Sequence, residues 1–157
     1  MSKEIPTAPD LALTPPPKLA ILTSRFNTKV THGLRDGAIE WLAERNIHEP
    51  DLFDAPGAFE LPLMAQTLAK TGRYEGILCL GCVIKGDTAH FEFISLGATI
   101  GLMQVQLTTE TPIAFGILTT YTDEQAQIRS AENDHNKGRE AAAACTESIA
   151  FLRQIRA

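Results

Sequence analysis

The sequence predicts an α/β fold of three layers, in which helices cover both faces of a four-stranded parallel sheet. From Lys18 onward, short apolar runs alternate with longer amphipathic ones, the pattern of repeated strand-helix units. The apolar runs over 19–23, 51–55, 76–82 and 113–118 have the length of strands rather than helices. A chain of 157 residues, 44% hydrophobic and 21% charged, suits one soluble domain with a single core.

Residues 1–17 hold five of the nine prolines and end in Pro15-Pro16-Pro17, so they are expected to form an extended tail ahead of a domain over 18–157. Between the first two strands, Val30, Leu34, Ala38, Trp41 and Leu42 recur at helical spacing, which predicts a helix that sets Trp41 on the sheet. A second helix over 60–70 tolerates Pro62 in its first turn, stops near Gly72 and turns Met64, Leu68 and Ala69 inward. The third helix, over 88–107, carries Gly97 and Gly101. Each costs about 1 kcal/mol relative to alanine. Such glycines imply a close approach, to the sheet beneath or to a neighbouring subunit. A short helix over 123–130 and a last one over 137–153 complete the expectation.

The formal net charge is -5, with no basic stripe, which disfavours nucleic acid as a partner. No apolar stretch approaches the length of a membrane span and no signal peptide is evident, so a cytoplasmic protein is expected, without membrane contact. Cys79 and Cys82 form a CxxC, but residues three apart on a strand point to opposite faces and cannot share a metal. Buried, inert thiols are expected, Cys145 included. Asp134-His135-Asn136-Lys137-Gly138 offers no paired ligand spacing, so no metal is expected. Walker loop, dinucleotide fingerprint and nucleophile elbow are all missing from the sequence.

Ligands of open parallel sheets bind beyond the carboxyl ends of the strands. The segments there are Ser24-Arg25-Phe26-Asn27, Pro56-Gly57-Ala58-Phe59-Glu60, the loop Lys85-Gly86-Asp87-Thr88 with His90, and Thr119-Thr120. Phe26 and Phe59 either cap the core or cover a planar heterocycle. Glu60 either accepts hydrogen bonds from a ligand or complements a helix dipole. Gly86 lets backbone approach an anion, Asp87 or Thr88 can cap the next helix, and Arg129 is the candidate cation for a phosphate. His90 falls in the first turn of that helix, whose positive end favours a neutral imidazole able to accept a proton. Lys137 either faces the site or lies on the surface.

In this order and spacing, those segments resemble the lumazine synthase family, together with Val83-Ile84-Lys85-Gly86-Asp87-Thr88-Ala89-His90, Phe115-Gly116-Ile117-Leu118-Thr119-Thr120 and Asn136-Lys137-Gly138. The resemblance implies a flavodoxin-like fold and a transferase that condenses 5-amino-6-(D-ribitylamino)uracil with 3,4-dihydroxy-2-butanone 4-phosphate. The product would be 6,7-dimethyl-8-ribityllumazine, formed through an imine, phosphate loss and ring closure, without cofactor or metal. Phe26 would then stack on the pyrimidine. Ala58, Phe59 and Glu60 would bind ring and ribityl chain, and Cys82, Val83 and Ile84 would supply backbone contacts. Phe115 would reach across a subunit interface. Asp87, Thr88 and Arg129 would hold the phosphate, with Gly86 and Lys137 close by, and His90 would move protons.

The resemblance also implies a homopentamer, the family's range of assemblies extending to a sixty-subunit shell and to association with riboflavin synthase. Ser24 and Cys82 replace other small residues common in the family. His135 replaces a common glycine, which would matter if that position needed positive φ. The competing readings are a flavodoxin-like flavin-phosphate binder without turnover, and a scaffold that has lost catalysis.

Overall fold

The computed structural model describes residues 13–157. Its strands are β1 (Leu19–Ser24), β2 (Asp51–Ala55), β3 (Gly76–Ile84) and β4 (Ile113–Thr120). Its helices are α1 (Thr28–Ala43), α2 (Leu61–Lys70), α3 (His90–Thr109), α4 (Asp123–Ser130) and α5 (Lys137–Arg156), with a single 3₁₀ turn at Ala58–Glu60 ahead of α2. Every predicted element is present. β3 and β4 run further than their apolar runs because the pairs Val83↔Thr119 and Ile84↔Thr120 continue the ladder into partly polar sequence. Most of the expected proline-rich tail, residues 1–12, lies outside the described residues. Residues 13–17 form neither helix nor strand, yet Leu13 packs on the core and the Pro15 carbonyl accepts from Arg153 at 2.7 Å.

The four strands are parallel, in the order β2-β1-β3-β4. β1 alternates between two cores: Leu19 and Ile21 meet α1, α4 and α5 on one face, while Ala20 and Leu22 meet α2 and α3 on the other. That two-sided burial explains why the strand is apolar from Leu19 to Leu22. Trp41 packs on the sheet as expected, with the Arg45 guanidinium 3.7 Å from its ring centroid. Each fully buried leucine or isoleucine contributes about 1.5–3 kcal/mol, against about 0–1 for an exposed ion pair, so the two cores, not the surface charges, hold the layers together.

Cys79 lies in one core and Cys82 in the other, so the CxxC cannot close on itself. Burial pushes the Cys145 thiol up to about 12 and Cys79 further still, while burial and then the charge of Asp123 push Cys82 up to about 11. At neutral pH all three stay protonated and are weak nucleophiles. Among the described residues no cluster of histidine, cysteine and carboxylate could hold a metal, and no helix is long and apolar enough to cross a membrane.

The close approach at Gly97 and Gly101 is made within the chain, by the first residues of α2 and the turn before it and not by the sheet. A Cβ on Gly101 would lie 2.7 Å from the Pro62 ring, and one on Gly97 would lie 3.3 Å from the Phe59 ring, so the glycines let α3 lie against the start of α2. The tighter contact joins α1 to α5, where a Cβ on Gly138 would lie 1.8 Å from the Leu34 carbonyl oxygen. α3 is also apolar on its outer side. Phe93, Leu96, Ile100, Met103 and Leu107 are all more than half exposed and repeat at alternating intervals of three and four residues.

Gly138→Ala is expected to cost about 3 kcal/mol, since a backbone carbonyl cannot step aside. Gly101→Ala should cost about 1 kcal/mol, because a gain in helix propensity offsets part of the clash with Pro62. Urea unfolding at fixed protein concentration checks this ranking, and equal losses would contradict the tighter α1-α5 contact.

Asp51 accepts hydrogen bonds from Lys18 at 2.6 Å and from the Tyr74 hydroxyl at 2.7 Å, and these hold its carboxyl below the ordinary value. A depressed carboxyl stabilises the fold above its unfolded value, and the contribution is lost as pH falls through the folded one. Acid unfolding of Asp51→Asn should therefore depend less steeply on pH than that of the unaltered chain below about pH 4.

Candidate active site

The chain runs from β1 outward to β2, then crosses back over β1 to β3, so its direction reverses between β1 and β3. At such a reversal the connections leave to opposite faces and a crevice opens past the strand ends. A cleft of about 400 Å³ lies there, lined by Phe26 and Asn27 after β1, Gly57 to Glu60 after β2, Cys82 to Ile84 at the end of β3, and His90 and Ile94 of α3.

Local geometry builds the first wall. Asn27 takes the left-handed conformation, at φ 55° and ψ 53°, and turns the chain sharply into α1. Its side-chain amide donates to the Cys82 carbonyl at 3.0 Å, tying the Phe26 turn to the end of β3. A Cβ on Gly57 would stand 3.3 Å from the Phe26 ring and 3.0 Å from a Glu60 carboxylate oxygen, so that glycine lets both close in. Glu60 makes no helix-capping hydrogen bond. Its carboxylate instead lies beside Gly57 in the cleft wall.

Phe26 is 67% exposed and Phe59 is 60% exposed, which removes core capping as an explanation for either ring. Phe59 rests one edge over Gly97 and leaves the rest of its surface open. Two exposed aromatic rings, one carboxylate and a half-buried strand end have the shape and polarity that suit a flat, polar heterocycle.

The third segment begins differently from its expectation. α3 starts at His90 rather than at residue 88, because the Thr88 hydroxyl stays outside the helix and accepts the His90 backbone N–H at 3.3 Å. Gly86, Asp87 and Thr88 are exposed at this helix start. The positive end of the α3 dipole favours an anion here. His90 faces the cleft within the same turn.

Phe115, Arg129 and Lys137 are not brought to this cleft. They line a second one, of about 310 Å³, along the free edge strand β4 between α4 and α5. Phe115 pairs with Cys79, three residues back from Cys82, so it sits well short of the strand-end rim. Thr119 and Thr120 also line this second cleft and belong to β4 itself. Within one chain, the expected grouping of Arg129 with Asp87 and Thr88 is therefore absent: α4 carries the arginine beyond the edge strand.

Arg129 is half-buried and donates to the Gln125 carbonyl at 3.0 Å, and among the described residues it has no carboxylate partner. Lys137 pairs with Glu140. A guanidinium without a counter-ion in an edge cleft can take an anion in its fork. His135 is not among the positive-φ residues, so replacing glycine there strains nothing in the loop before Lys137.

Three lining residues carry no role in the sequence reading: Asn27, Gly57 and Ile94. Ile94 stands one helical turn after His90, a spacing that puts it on the same face, so its signal was present. The left-handed turn at Asn27 depends on tertiary contact with Cys82 and has no comparable local mark.

The sequence profile of the 6,7-dimethyl-8-ribityllumazine synthase family matches residues 16–153. 6,7-Dimethyl-8-ribityllumazine synthase 1 of Caulobacter vibrioides is 62% identical over 143 residues, covering 90% of this chain and 94% of that relative. The Nitratidesulfovibrio vulgaris and Lactiplantibacillus plantarum 6,7-dimethyl-8-ribityllumazine synthases are each 44% identical over 140 residues, which cover 88% of this chain and 90% and 88% of the respective relatives. A match that covers both clefts and reaches from ahead of β1 into the last turn of α5 settles the family: this chain belongs to the 6,7-dimethyl-8-ribityllumazine synthases.

Proposed function

We propose that this chain is a transferase that condenses 5-amino-6-(D-ribitylamino)uracil with 3,4-dihydroxy-2-butanone 4-phosphate to give 6,7-dimethyl-8-(D-ribityl)lumazine, phosphate and water, a step of riboflavin biosynthesis. The observation that carries the reading is the cleft between β1 and β3, where two exposed phenylalanine rings, Glu60 and His90 converge. Phe26 stacks on the pyrimidine. Ala58, Phe59 and Glu60 engage ring and ribityl groups, and the backbone of Cys82, Val83 and Ile84 reads the ring edge.

The 5-amino group attacks the ketone, water leaves to give an imine, phosphate is then eliminated, and the ribitylamino nitrogen attacks the remaining carbonyl, closing the ring with loss of a second water. His90 takes and returns the protons that these steps move. Holding two reactants in register supplies much of the acceleration, so no activated nucleophile is needed. The protonated thiols agree with that.

The first cleft lacks a cation for the phosphate, and the second holds Arg129 and Lys137 with Phe115 beside them. Our reading joins the halves across two copies: one chain contributes the heterocycle cleft, Asp87, Thr88 and His90, and its neighbour contributes Phe115 and Arg129. The outer stripe of α3, from Phe93 to Leu107, supports self-association, since a helix apolar on both sides needs cover on both. A homopentamer is the assembly we assign. The catalytic domain runs over 18–157, and three free buried cysteines suit a reducing cytoplasm.

Purified protein mixed with both substrates should form the lumazine, followed by its absorbance and fluorescence, together with one phosphate per product. A rate equal to the uncatalysed one defeats the proposal and leaves a flavin-phosphate binder or a scaffold. His90→Ala should lower kcat about ten- to a hundredfold, toward the low end for a general acid-base group because positioning survives. Its affinity for the pyrimidine should not change, and an unaltered kcat would remove His90 from the chemistry. Ile100→Glu should reduce the assembled mass in analytical ultracentrifugation toward that of a single chain; an unchanged mass would show that α3 is not the association face.

A further inference from the structure

We infer that Asn136 is a positioning residue for phosphate binding, the fixed point from which Arg129 and Lys137 take their places. The inference rests on the assignment of Arg129 to the phosphate. Asn136 is 2% exposed, and no other side chain in the described residues makes as many hydrogen bonds to backbone. Its amide nitrogen lies 3.0 Å from each of the carbonyl oxygens of Gly33, Ser130 and Ala131. Its carbonyl oxygen accepts the Gly138 N–H at 2.8 Å and the Arg139 N–H at 3.4 Å.

These partners belong to three elements. Ser130 ends α4, directly after Arg129, and Ala131 follows it. Gly138 and Arg139 lie in the first turn of α5, directly after Lys137. Gly33 is in α1, which is anchored to the sheet through Val30, Leu34 and Trp41. A single carboxamide thus joins the end of the helix that carries Arg129 to the start of the helix that carries Lys137. It ties both to a third helix fixed in the core.

Four of the five groups it serves are those that helices leave unpaired, carbonyls at the end of α4 and N–H groups at the start of α5, while the fifth, the Gly33 carbonyl, lies within α1. Only a side chain with both a donor and an acceptor on one carbon serves both ends at once.

The surrounding sequence makes room for it. Gly33 and Gly37 stand one turn apart on α1, where a Cβ would come 2.5 Å from the Ser130 carbonyl oxygen and 2.4 Å from the Asn136 carboxamide oxygen. With Gly138 against Leu34, three glycines bring α1, α4 and α5 close enough for one short side chain to bridge them. Arg129 itself has only the Gln125 carbonyl within its own helix to steady it, so the placement of its fork depends on where α4 ends.

The test uses the full chain in its native assembly and measures KM for each substrate separately. Asn136→Asp keeps the acceptor for the two N–H groups and presents no donor to the three carbonyls. It should raise KM for 3,4-dihydroxy-2-butanone 4-phosphate about tenfold, the scale of a sub-ångström to one-ångström misplacement, with KM for the pyrimidine substrate unchanged. Gly37→Ala presses a methyl group on the carboxamide while Asn136 itself remains, and should give the same split to a smaller degree. It carries the test if Asn136→Asp fails to assemble.

Arg129→Ala separates the two layers of argument. If it leaves the ketophosphate KM unchanged, the phosphate assignment falls and the inference falls with it. If it raises that KM while both Asn136→Asp and Gly37→Ala leave it unchanged, or raise both KM values equally, Asn136 is structural only and the inference is overturned.

Discussion

The reversal of strand order between β1 and β3 is the constraint on which the rest of the molecule depends. Because β1 sends its chain outward to β2 and the return passes over it to β3, α1 and α2 leave to opposite faces of the sheet. No connection then closes the gap above these two strand ends. Apart from the end of β3 itself, the first cleft is lined by what comes next in the chain after a strand: Phe26 after β1, Phe59 and Glu60 after β2, His90 after β3. The contacts between these segments, Asn27 to the Cys82 carbonyl and Gly57 beneath Phe26 and Glu60, keep the gap open and shaped. The fold supplies a place, and three short turns supply its chemistry.

Much of this was readable before any coordinates, for a physical reason. A strand buried on both faces is apolar along most of its length, so β1 and β3 stand out, and a parallel sheet places its ligands at one rim. The rings of Phe26 and Phe59 follow from their position at strand ends. Their exposure does not, because a ring at a turn can cover either the core or a ligand, and only the structure separates the two. Asp87 or Thr88 is expected to cap α3, but the helix begins two residues later than the apolar pattern indicates and its N-cap is Ala89, with the Thr88 hydroxyl accepting from His90 one residue further out.

Three-dimensional neighbours are what the sequence conceals. Gly97 and Gly101 announced a close approach without naming the partner, which is the start of α2. Phe115, Arg129 and Lys137 share one cleft of their own because β4 is the edge strand, a consequence of strand order that no local pattern states. Asn136 lies in a polar stretch that reads as an ordinary loop, and its five backbone partners come from three separate helices or their ends. Family resemblance located the motif around it, but the burial and saturation of its carboxamide are properties of the packed molecule.

The division of the candidate residues between two clefts is what, in our proposal, makes an oligomer part of the site. A half-site with rings and a histidine but no cation for a phosphate, and another with an unpaired arginine on an open sheet edge, are complementary deficits. Subunit mixing measures this most directly. His90→Ala and Arg129→Ala chains, each assembled separately, should both have low activity. Unfolded together and reassembled, they should recover about a quarter of the unaltered rate, the share of interfaces in a random mixture that join two intact halves. Recovery of no activity, in mixed assemblies of the correct mass, would show that each site is built from one chain alone and would contradict the account.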